Sequence, residues 1–429
     1  MGSFSVPVSG LEATDEALSV ISNNLANMNT VAYKDVTPEF SDLLSQQLGT
    51  TGAGDPIQTG LGTEMSSTDT EFTQGNIQST GVPTDVAISG AGFFQIESGG
   101  VTLYTRDGDF TTNAQGQLLT QEGYNVMGYT ATNGVVNTSG TVSPVSIDLG
   151  QTSPPSATSN VQIDMNLDSS DTTTSAPWST TVETYDSLGQ SHELTFTFTN
   201  EGSGKWDYAI SIPGADVGST SASVNEQTGT LTFNGSGQLT AATVTGSGTG
   251  AVSSSSGTVT GITGITIPGL ADGASTMKFN WNLVDSSGSP VVSQVAGASA
   301  ASNTTQDGYA SGSLSSYTIE SNGVIQGSFT NGETMAIGQI ALANFPNSEG
   351  LLQVGSNNYM ATLASGLPTV GVPGTGSLGT LVGDSLEASN VDIASQFSQL
   401  IEQQTGYEAD AKALTTLDNV IQSVLNTIT

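Results

Sequence analysis

Apolar residues recur at helical spacing near both ends of the chain. From about residue 10 to residue 27, Leu11, Leu18 and Leu25 lie seven residues apart, and Ile21 and Met28 fill the intermediate positions. Residues seven apart share one face of an α-helix, so this stretch is predicted to be helical. A second, short helix is expected after it.

That second helix is predicted to begin at Thr37-Pro38, because proline is favoured in the first turn of a helix. Phe40, Leu43 and Leu44 would then share one face. The Ser-, Gly- and Thr-rich stretches that follow elsewhere in the chain are interpreted as loops or linkers. They cover residues 49–70, 245–257, 296–305 and 366–383.

The C-terminal pattern is longer. From Ser385 to Ile428 the chain has one glycine, Gly406, and no proline. One seam repeats every seven residues at Leu400, Tyr407, Leu414, Ile421 and Ile428, and the other holds Phe397, Ala411 and Leu425, with Gln404 and Asp418 as its polar members. Five such heptads predict a coiled-coil helix of roughly 60 Å.

Between the ends, apolar and polar residues alternate with a period of two, which indicates strands with one buried face. The clearest runs are 161–167, 194–198, 206–212 and 277–283, separated by turns such as Asn234-Gly235 and Asp272-Gly273. A β-sandwich or barrel is therefore expected at 149–303. Shorter strands are expected at 84–130 and at 305–365, where Asn322-Gly323 and Asn331-Gly332 are hairpin turn signals.

These patterns predict a mixed, mainly β fold with a nested order. An N-terminal helix of this length is marginal in water, so we expect it to pair with the C-terminal helix. The predicted parts are a terminal helical coiled-coil domain (1–30 and 385–429), a connecting segment (31–72), an inner β domain (73–148 and 304–384) and an inserted outer β domain (149–303). Repeating an asymmetric helix contact between copies gives a ring or a helical filament. An ordinary intramolecular or dimeric coiled coil remains the alternative.

The net charge of the chain limits the kinds of molecule that it can bind. The chain of 429 residues has 5 basic and 39 acidic residues, a formal net charge of −34. Nucleic-acid binding needs clustered Lys and Arg, and anionic lipid would repel this surface, so neither partner is expected. No stretch approaches the length of a membrane span. The N-terminal sequence lacks the features of a cleaved secretory signal, so we expect that any export uses another route.

Candidate chemistry is sparse. The chain has no cysteine and one histidine, His192, for which a structural role at the surface is expected, with no metal site, no cofactor and no catalytic residue. A Ser-His-Asp triad would have to use that histidine. A hydrolase with paired carboxylates stays open from sequence alone. Asp107 and Asp109 lack the spacing of a calcium-binding EF-hand loop and are interpreted as a tight turn. Arg106, the single arginine, is expected to bind a nearby carboxylate or carbonyl.

Several segments resemble the bacterial flagellar axial proteins of the rod and hook. The N-terminal signature comprises Ser9-Gly10-Leu11, Ala17-Leu18, Asn23 to Thr30 and Tyr33-Lys34, and the C-terminal one comprises Leu386 to Asp392, Leu400-Ile401, Gln404 and Tyr407 to Lys412. Gly92-Phe93-Phe94, Arg106 to Phe110, Asn344 to Asn347 and Gly350-Leu351 are similar to further motifs of the family. The resemblance covers roughly 1–130 and 335–429. At Thr405-Gly406 the chain departs from the family, where a basic residue often precedes the aromatic.

The resemblance implies a self-assembling tube outside the cell, in the bacterial flagellum. The length and the insert favour a hook subunit, which joins rod to filament and transmits torque while bending; a distal rod subunit is the alternative within the family, and an acidic surface-layer or adhesin protein is the alternative outside it. Implied partners are copies of itself, a rod protein, a hook-filament junction protein, a hook-capping protein and the type III export apparatus.

The family signature also implies roles for the amides of Asn23, Asn24 and Asn27. They are expected to bond to neighbouring subunits or to the C-terminal helix; the alternative is that they mark a fraying helix end. The candidate assembly residues are these three with Leu11, Leu18, Ile21, Leu25, Phe397, Leu400, Tyr407, Ala411, Leu414, Ile421, Leu425 and Ile428.

Overall fold

The computed structural model describes residues 5–50, 56–148, 150–246, 248–255 and 258–428. Two long helices, α1 (Ser5–Ala26) and α2 (Ile393–Ile428), lie at the two ends of this range, and strands make up most of the rest. The prediction of a mainly β fold with helices at both ends is thus confirmed. The chain forms two compact units: the first is Met1–Leu149, Ser315–Ser328 and Thr334–Thr429, and the second is Gly150–Leu314 and Phe329–Glu333.

Helix α2 begins later than the sequence pattern indicated. The carboxylate of Asp392 accepts hydrogen bonds from the backbone N–H groups of Ala394 (2.8 Å) and Ser395 (3.1 Å), which satisfies donors that have no partner within the helix. The residues before this cap are not helical, because Ser385–Glu387 forms a strand that pairs with Ile77–Ser79. A terminal helical domain starting at residue 385 is therefore wrong for its first residues.

The predicted second helix is also wrong. Val36–Asp42 is a strand, paired antiparallel with Thr63–Thr70, and Gln46–Thr50 pairs with Pro56–Thr59. Pro38 lies opposite Thr68 in this two-stranded ribbon, which tolerates proline because each strand has a free outer edge. The pairing also corrects the interpretation of 49–70 as a loop.

The first unit has short antiparallel strands and an aromatic core. Phe93 lies at its centre, with its ring centroid 5.4 Å from that of Phe72 and 5.9 Å from those of Phe345 and Tyr359. The core thus joins residues from both ends of the chain. The remaining strands of this unit are Val86–Ser89, Phe93–Ser98, Val101–Thr105, Phe110–Thr112, Leu118–Thr120, Asn125–Thr132, Val135–Val136, Ser143–Pro144, Thr334–Ile340, Leu342–Asn344, Leu352–Gly355, Asn358–Met360, Thr369–Gly371 and Thr380–Gly383. A 3₁₀ turn spans Ser348–Gly350.

The second unit is a β-sandwich. One sheet is antiparallel, in the order Trp178–Tyr185, Ser191–Gly202, Lys205–Pro213, Ser223–Phe233, Leu239–Thr245. The other has the order Ala251–Ser255, Thr258–Ile267, Met277–Asn282, Asn160–Asp168, Val292–Val295, with Ala300–Gln306 also paired to Asn160–Asp168. Trp281 of the second sheet packs against Phe196 and Tyr208 of the first, with ring centroids 5.2 and 5.3 Å apart. Thr152–Ser153 is a further strand of this unit. The strands Gly312–Ile319 and Val324–Phe329 each include residues assigned to both units.

The four alternating runs of the sequence all form strands, as predicted. The hairpin turns at Asn322-Gly323 and Asn331-Gly332 are confirmed, and both glycines have positive φ (82° and 85°), which favours glycine. Three further stretches interpreted as loops contain strands: 245–257, 296–305 and 366–383. Their Ser and Thr residues lack apolar alternation, but pairing with a neighbouring strand satisfies their backbone groups.

His192 does not lie at the surface, contrary to the expectation from sequence. Its side chain is only 5% exposed, because three carboxylates from separate connections surround the ring. Asp107 does form the predicted tight turn, since its Oδ1 accepts a hydrogen bond from the N–H of Asp109 (3.0 Å). Among the described residues, none of the helices combines the length and hydropathy that crossing a membrane requires.

Candidate assembly interface

Helices α1 and α2 pack against each other in antiparallel orientation. The Nδ2 atom of Asn24 donates to Oε1 of Gln396 (3.3 Å), and Gly10 lies against the side chain of Asp410. As many residues separate Gly10 from Asn24 as separate Gln396 from Asp410, so the two helices keep one register along this length. In the same register, a Cβ atom on Gly406 would lie 3.7 Å from Cγ2 of Thr14.

The buried face of α1 is made largely of small residues. Gly10, Ala13, Ala17, Ile21 and Asn24 are its buried members, spaced three or four residues apart. Such spacing places them on one face, and the small side chains let neighbouring backbones approach closely. The strand Thr63–Thr70 also covers α1, with the N–H of Thr63 donating to Oγ of Ser9 (3.3 Å).

The candidate assembly residues fall into three groups in the single chain. Buried members are Ile21 and Asn24, and half-buried members are Leu11, Leu18, Leu25, Asn27, Leu400, Ala411 and Leu414. Asn23, Phe397, Tyr407 and Ile421 are exposed. Leu425 and Ile428 belong to α2, but their side chains lie outside the described part of the chain. The structure therefore brings together one part of the set and leaves another part facing solvent.

Among the described side chains of α2, seven large apolar ones are exposed, and we call them the outer stripe. They are Ile393, Phe397, Ile401, Tyr407, Val420, Ile421 and Val424. Ile393, Phe397 and Ile401 lie four residues apart on one face, and the latter two are 52% and 58% exposed. Ile393, Ile401, Val420 and Val424 are not among the candidate assembly residues from sequence, because they lie outside the heptad seams. Their signal is the apolar content of α2 outside the seams.

The side chain of Asn24 makes four hydrogen bonds, more than that of Asn23 or Asn27. It is 1% exposed, and its Oδ1 accepts from the Tyr33 hydroxyl (3.0 Å) and the N–H of Val36 (3.2 Å), while its Nδ2 donates to the Val36 carbonyl (2.8 Å). Gln396, its partner on α2, donates to the carboxylate of Asp35 at 3.0 and 3.1 Å. Burial raises the pKa of Asp35 despite this hydrogen bond. Asn24 thus fixes the end of α1 against the start of α2.

Asn23 and Asn27 make hydrogen bonds within the N-terminal segment. Asn23 donates to the hydroxyl of Tyr33 (3.0 Å), and Asn27 donates to the carbonyl oxygen of Asn23 (2.9 Å). Neither bonds to α2 among the described contacts, and their expected bonds to neighbouring subunits stay a prediction. Both nevertheless border the end of α1, where the chain turns toward Lys34.

A buried ion cluster joins three distant parts of the first unit. The carboxylate of Glu387 accepts from Nζ of Lys34 (2.6 Å), Nε of Arg106 (3.0 Å) and the N–H of Gly75 (2.7 Å). Arg106 also donates to the carbonyls of Gly90 and Gly92 (3.1 Å), as the sequence analysis anticipated. Burial and the neighbouring guanidinium lower the pKa of Lys34, although Glu387 opposes this effect. The cluster holds the chain just after α1 to the chain just before α2.

Four family models match successive parts of the chain. "Flagella basal body rod protein" matches residues 4–34, "Flagellar hook protein FlgE/F/G D1 domain" residues 87–170, "Flagellar basal body protein FlaE D2 domain" residues 155–309 and "Flagellar basal body rod FlgEFG protein C-terminal" residues 383–427. The models together include α1, α2 and much of both units. The match at 155–309 covers the sandwich, for which the sequence alone offered no motif.

Similar full-length proteins share one description. The flagellar hook protein FlgE of Treponema pallidum is 33% identical, with 98% of each chain covered. The flagellar hook protein FlgE of Escherichia coli is 32% identical, with 99% of each chain covered. Identity at this level over both whole chains goes beyond a shared fold. The chain belongs to the flagellar hook protein family.

Proposed function

We propose that this chain assembles, through its terminal helices, into the bendable hollow tube of the flagellar hook, which joins rod to filament and transmits motor torque. Family membership makes the chain a structural hook subunit and does not favour the distal rod or surface-layer alternatives. The family is a structural one and not a known enzyme family. Self-polymerisation follows from membership of the hook protein family. The terminal helices would supply the contacts between copies.

The outer stripe of α2 carries the proposal. Burying a large apolar side chain contributes roughly 1.5 to 3 kcal/mol, and seven such residues are exposed on one helix. Ile393, Phe397 and Ile401 lie next to one another on one face of α2, and contiguous exposed apolar surface of this kind is typical of an interaction site. Copies of the same helix pair would cover it, and repetition of an asymmetric contact builds a helical filament.

Each part of the chain has a proposed role in the tube. The helix pair α1 and α2 acts as a coiled-coil domain that lines the channel, with 31–72 as a connecting segment. The β domains are 73–148 with 304–384, and the inserted 149–303. The half-buried and exposed candidate residues of α1 and α2 contact neighbouring subunits. Hydroxyl- and Gly-rich surfaces of the β domains exchange water-bridged contacts as the tube bends.

The remaining proposed partners are proteins that meet a hook, which lies between rod and filament. We propose contacts with a rod protein at the proximal end, a junction protein at the distal end and a capping protein during growth. Export through the flagellar type III apparatus, without a cleaved signal peptide, places the assembled subunits outside the cell. Neither nucleic acid nor membrane insertion has a role in this proposal.

The test is polymerisation of a stripe variant. Purified protein carrying Phe397→Ser and Ile401→Ser is compared with wild type by sedimentation and negative-stain electron microscopy. The matched control is Leu188→Ser, since Leu188 is equally exposed (61%) but lies in the second unit. We expect tubes from wild type and control, and none from the stripe variant.

The monomers should have the same circular dichroism and melting temperature, because the replaced side chains face solvent in the single chain. Tubes of normal yield from the stripe variant would contradict the proposal. So would equal loss of tubes in the Leu188→Ser control, because that result would not depend on α2.

A further inference from the structure

The only histidine of the chain lies in a cluster of three carboxylates within the second unit. His192 is at the start of the strand Ser191–Gly202, Asp186 lies in the turn before it, Asp216 in the 3₁₀ turn Gly214–Val217, and Asp272 in a turn after the strand Thr258–Ile267. The side chains of Asp186 and His192 are 0% and 5% exposed. Those of Asp216 and Asp272 reach solvent.

Hydrogen bonds orient each member of the cluster. Oδ1 of Asp186 accepts from the N–H groups of Leu188 (2.8 Å) and Gln190 (2.9 Å), which directs Oδ2 toward the imidazole. Nδ1 of His192 lies 3.0 Å from Oδ2 of Asp216. A carboxylate can only accept, so we assign the proton of this pair to Nδ1. Nε2 is the ring nitrogen that faces Asp186 and Asp272, and in the neutral ring it presents its lone pair to them.

The contacts of Nε2 with the two carboxylates are longer than those of a tight ion pair. Oδ2 of Asp186 lies 3.3 Å away and Oδ2 of Asp272 lies 3.8 Å away. A charge-assisted hydrogen bond between nitrogen and carboxylate is about 2.7 to 2.9 Å long. A tetrahedral cation with bonds of about 2.0 to 2.2 Å holds its ligand atoms about 3.3 to 3.6 Å apart. The three atoms all lie within 4.8 Å of one another, so small side-chain movements would bring them to the spacing of such an ion.

Charge favours a cation in the same place. Three carboxylates surround one imidazole, so even a protonated ring leaves the cluster with a net charge of about −2. One of these carboxylates is fully buried, where an uncompensated charge is costly. With the neutral ring that metal binding requires, the cluster carries about −3, and a divalent ion would reduce this charge to about −1.

We propose that Asp186, Nε2 of His192 and Asp272 bind a divalent cation of the zinc class. The mixed nitrogen and oxygen donors suit Zn²⁺ better than Ca²⁺ or Mg²⁺, which prefer oxygen alone. Asp216 accepts the Nδ1 proton, as carboxylates commonly do for a metal-binding histidine. The exposed side of Asp272 leaves room for a water molecule as fourth ligand.

The ion would join three separate connections of the sandwich. These are the turn at Asp186, the 3₁₀ turn at Asp216 and the turn at Asp272. Without the ion, contacts such as the hydrogen bond from the N–H of Ala271 to the carbonyl of Asp216 (2.8 Å) connect them. Binding to the folded state alone stabilises that state by mass action. The role is therefore structural and independent of how subunits assemble.

The test uses untagged, full-length monomer at 150 mM NaCl with 1 mM Mg²⁺, which limits non-specific binding to so acidic a chain. Isothermal titration with Zn²⁺ should show one site, and the melting temperature should rise with Zn²⁺ concentration. Asp272→Asn should weaken binding at least tenfold. The control Asp207→Asn removes one exposed charge of the same unit and should leave the affinity within twofold.

A second measurement reports on the ring itself. Because the chain has one histidine, ¹⁵N-labelled histidine gives one imidazole spectrum, and Zn²⁺ should shift its Nε2 resonance. A resonance that titrates with pH but does not move with Zn²⁺ would overturn the proposal in favour of a protonated imidazole. Equal Zn²⁺ affinity in the Asp272→Asn and Asp207→Asn variants would overturn it in favour of diffuse binding.

Discussion

Nζ of Lys34 lies 2.6 Å from Oε1 of Glu387, and both side chains are fully buried although 353 residues separate them in sequence. Arg106 occupies the other carboxylate oxygen of Glu387. One carboxylate therefore pairs with two buried cations. These two cations are two of the five basic residues in the chain, so a large share of its few positive charges lies in this one cluster.

Replacing the shared carboxylate should be more damaging than replacing either cation. Glu387→Gln leaves Lys34 and Arg106 buried without their counter-ion, and we expect it to lower the free energy of unfolding by about 3 to 5 kcal/mol. Lys34→Met should cost less, because Arg106 still pairs with Glu387 and the repulsion between the two cations is removed. Urea denaturation of the monomers would measure both.

The control for this comparison is Glu349→Gln, at an exposed position of the same unit. It should change the free energy of unfolding by less than about 0.5 kcal/mol. A Glu387→Gln variant as stable as this control would show that the buried cluster does not hold the first unit together.

Asn24→Ala should loosen the junction of the two helices. The substitution removes partners from the Tyr33 hydroxyl, from both backbone groups of Val36 and from Gln396, and buried groups left without partners cost about 1 to 3 kcal/mol each. We expect a loss of at least 2 kcal/mol in the free energy of unfolding and a lower yield of polymer. Asn23→Ala is the matched control for stability alone, since Asn23 is exposed but is itself a candidate assembly residue. Normal stability and polymer yield in Asn24→Ala would contradict the proposed role.

Asp107 should make the first unit less stable as pH rises. Burial, and to a smaller extent the neighbouring acids Asp109, Glu122 and Asp85, raise its pKa to about 6. A raised pKa means that the folded state binds the proton more tightly, so this contribution is complete below about pH 4 and is lost as pH rises through about 6.

The test for this effect is Asp107→Asn, which keeps an Oδ1 acceptor for the N–H of Asp109. At 1.36 kcal/mol per pKa unit, the variant should exceed wild type by about 2 to 3 kcal/mol at pH 7.5 and match it near pH 4. Urea denaturation at several pH values would measure the difference. A difference that stays constant across this range would contradict the assignment.

Assembly should depend strongly on salt. Subunits with a formal charge of −34 repel one another, and the screening length falls from about 30 Å at 0.01 M to about 8 Å at 0.15 M ionic strength. We expect faster polymerisation, followed by light scattering, at the higher salt and after mild acidification. An equal osmolality of sucrose is the control and should have no such effect. Indifference to both salt and acid would show that the acidic faces lie apart in the polymer.

Local patterns in the sequence determined the helices at the two ends and the four main strands of the sandwich. Period and turn chemistry fix such elements before any distant contact forms, as Leu194, Phe196 and Phe198 show by alternating within one strand. The sequence alone also carried the family motifs at both ends. It could not show that Thr37-Pro38 enters a strand, because the decisive partner, Thr68, lies far along the chain.

The tertiary structure decided what depends on side chains meeting across the fold. Lys34 and Glu387 form no local pattern, and neither do Asp186, His192 and Asp272, because each pair or cluster draws on separate segments. The heptads in the sequence predicted the length of α2 well but not which face stays exposed, since that depends on where the small face of α1 lies against it. Periodicity reports which residues share a face, and only packing decides which face is covered.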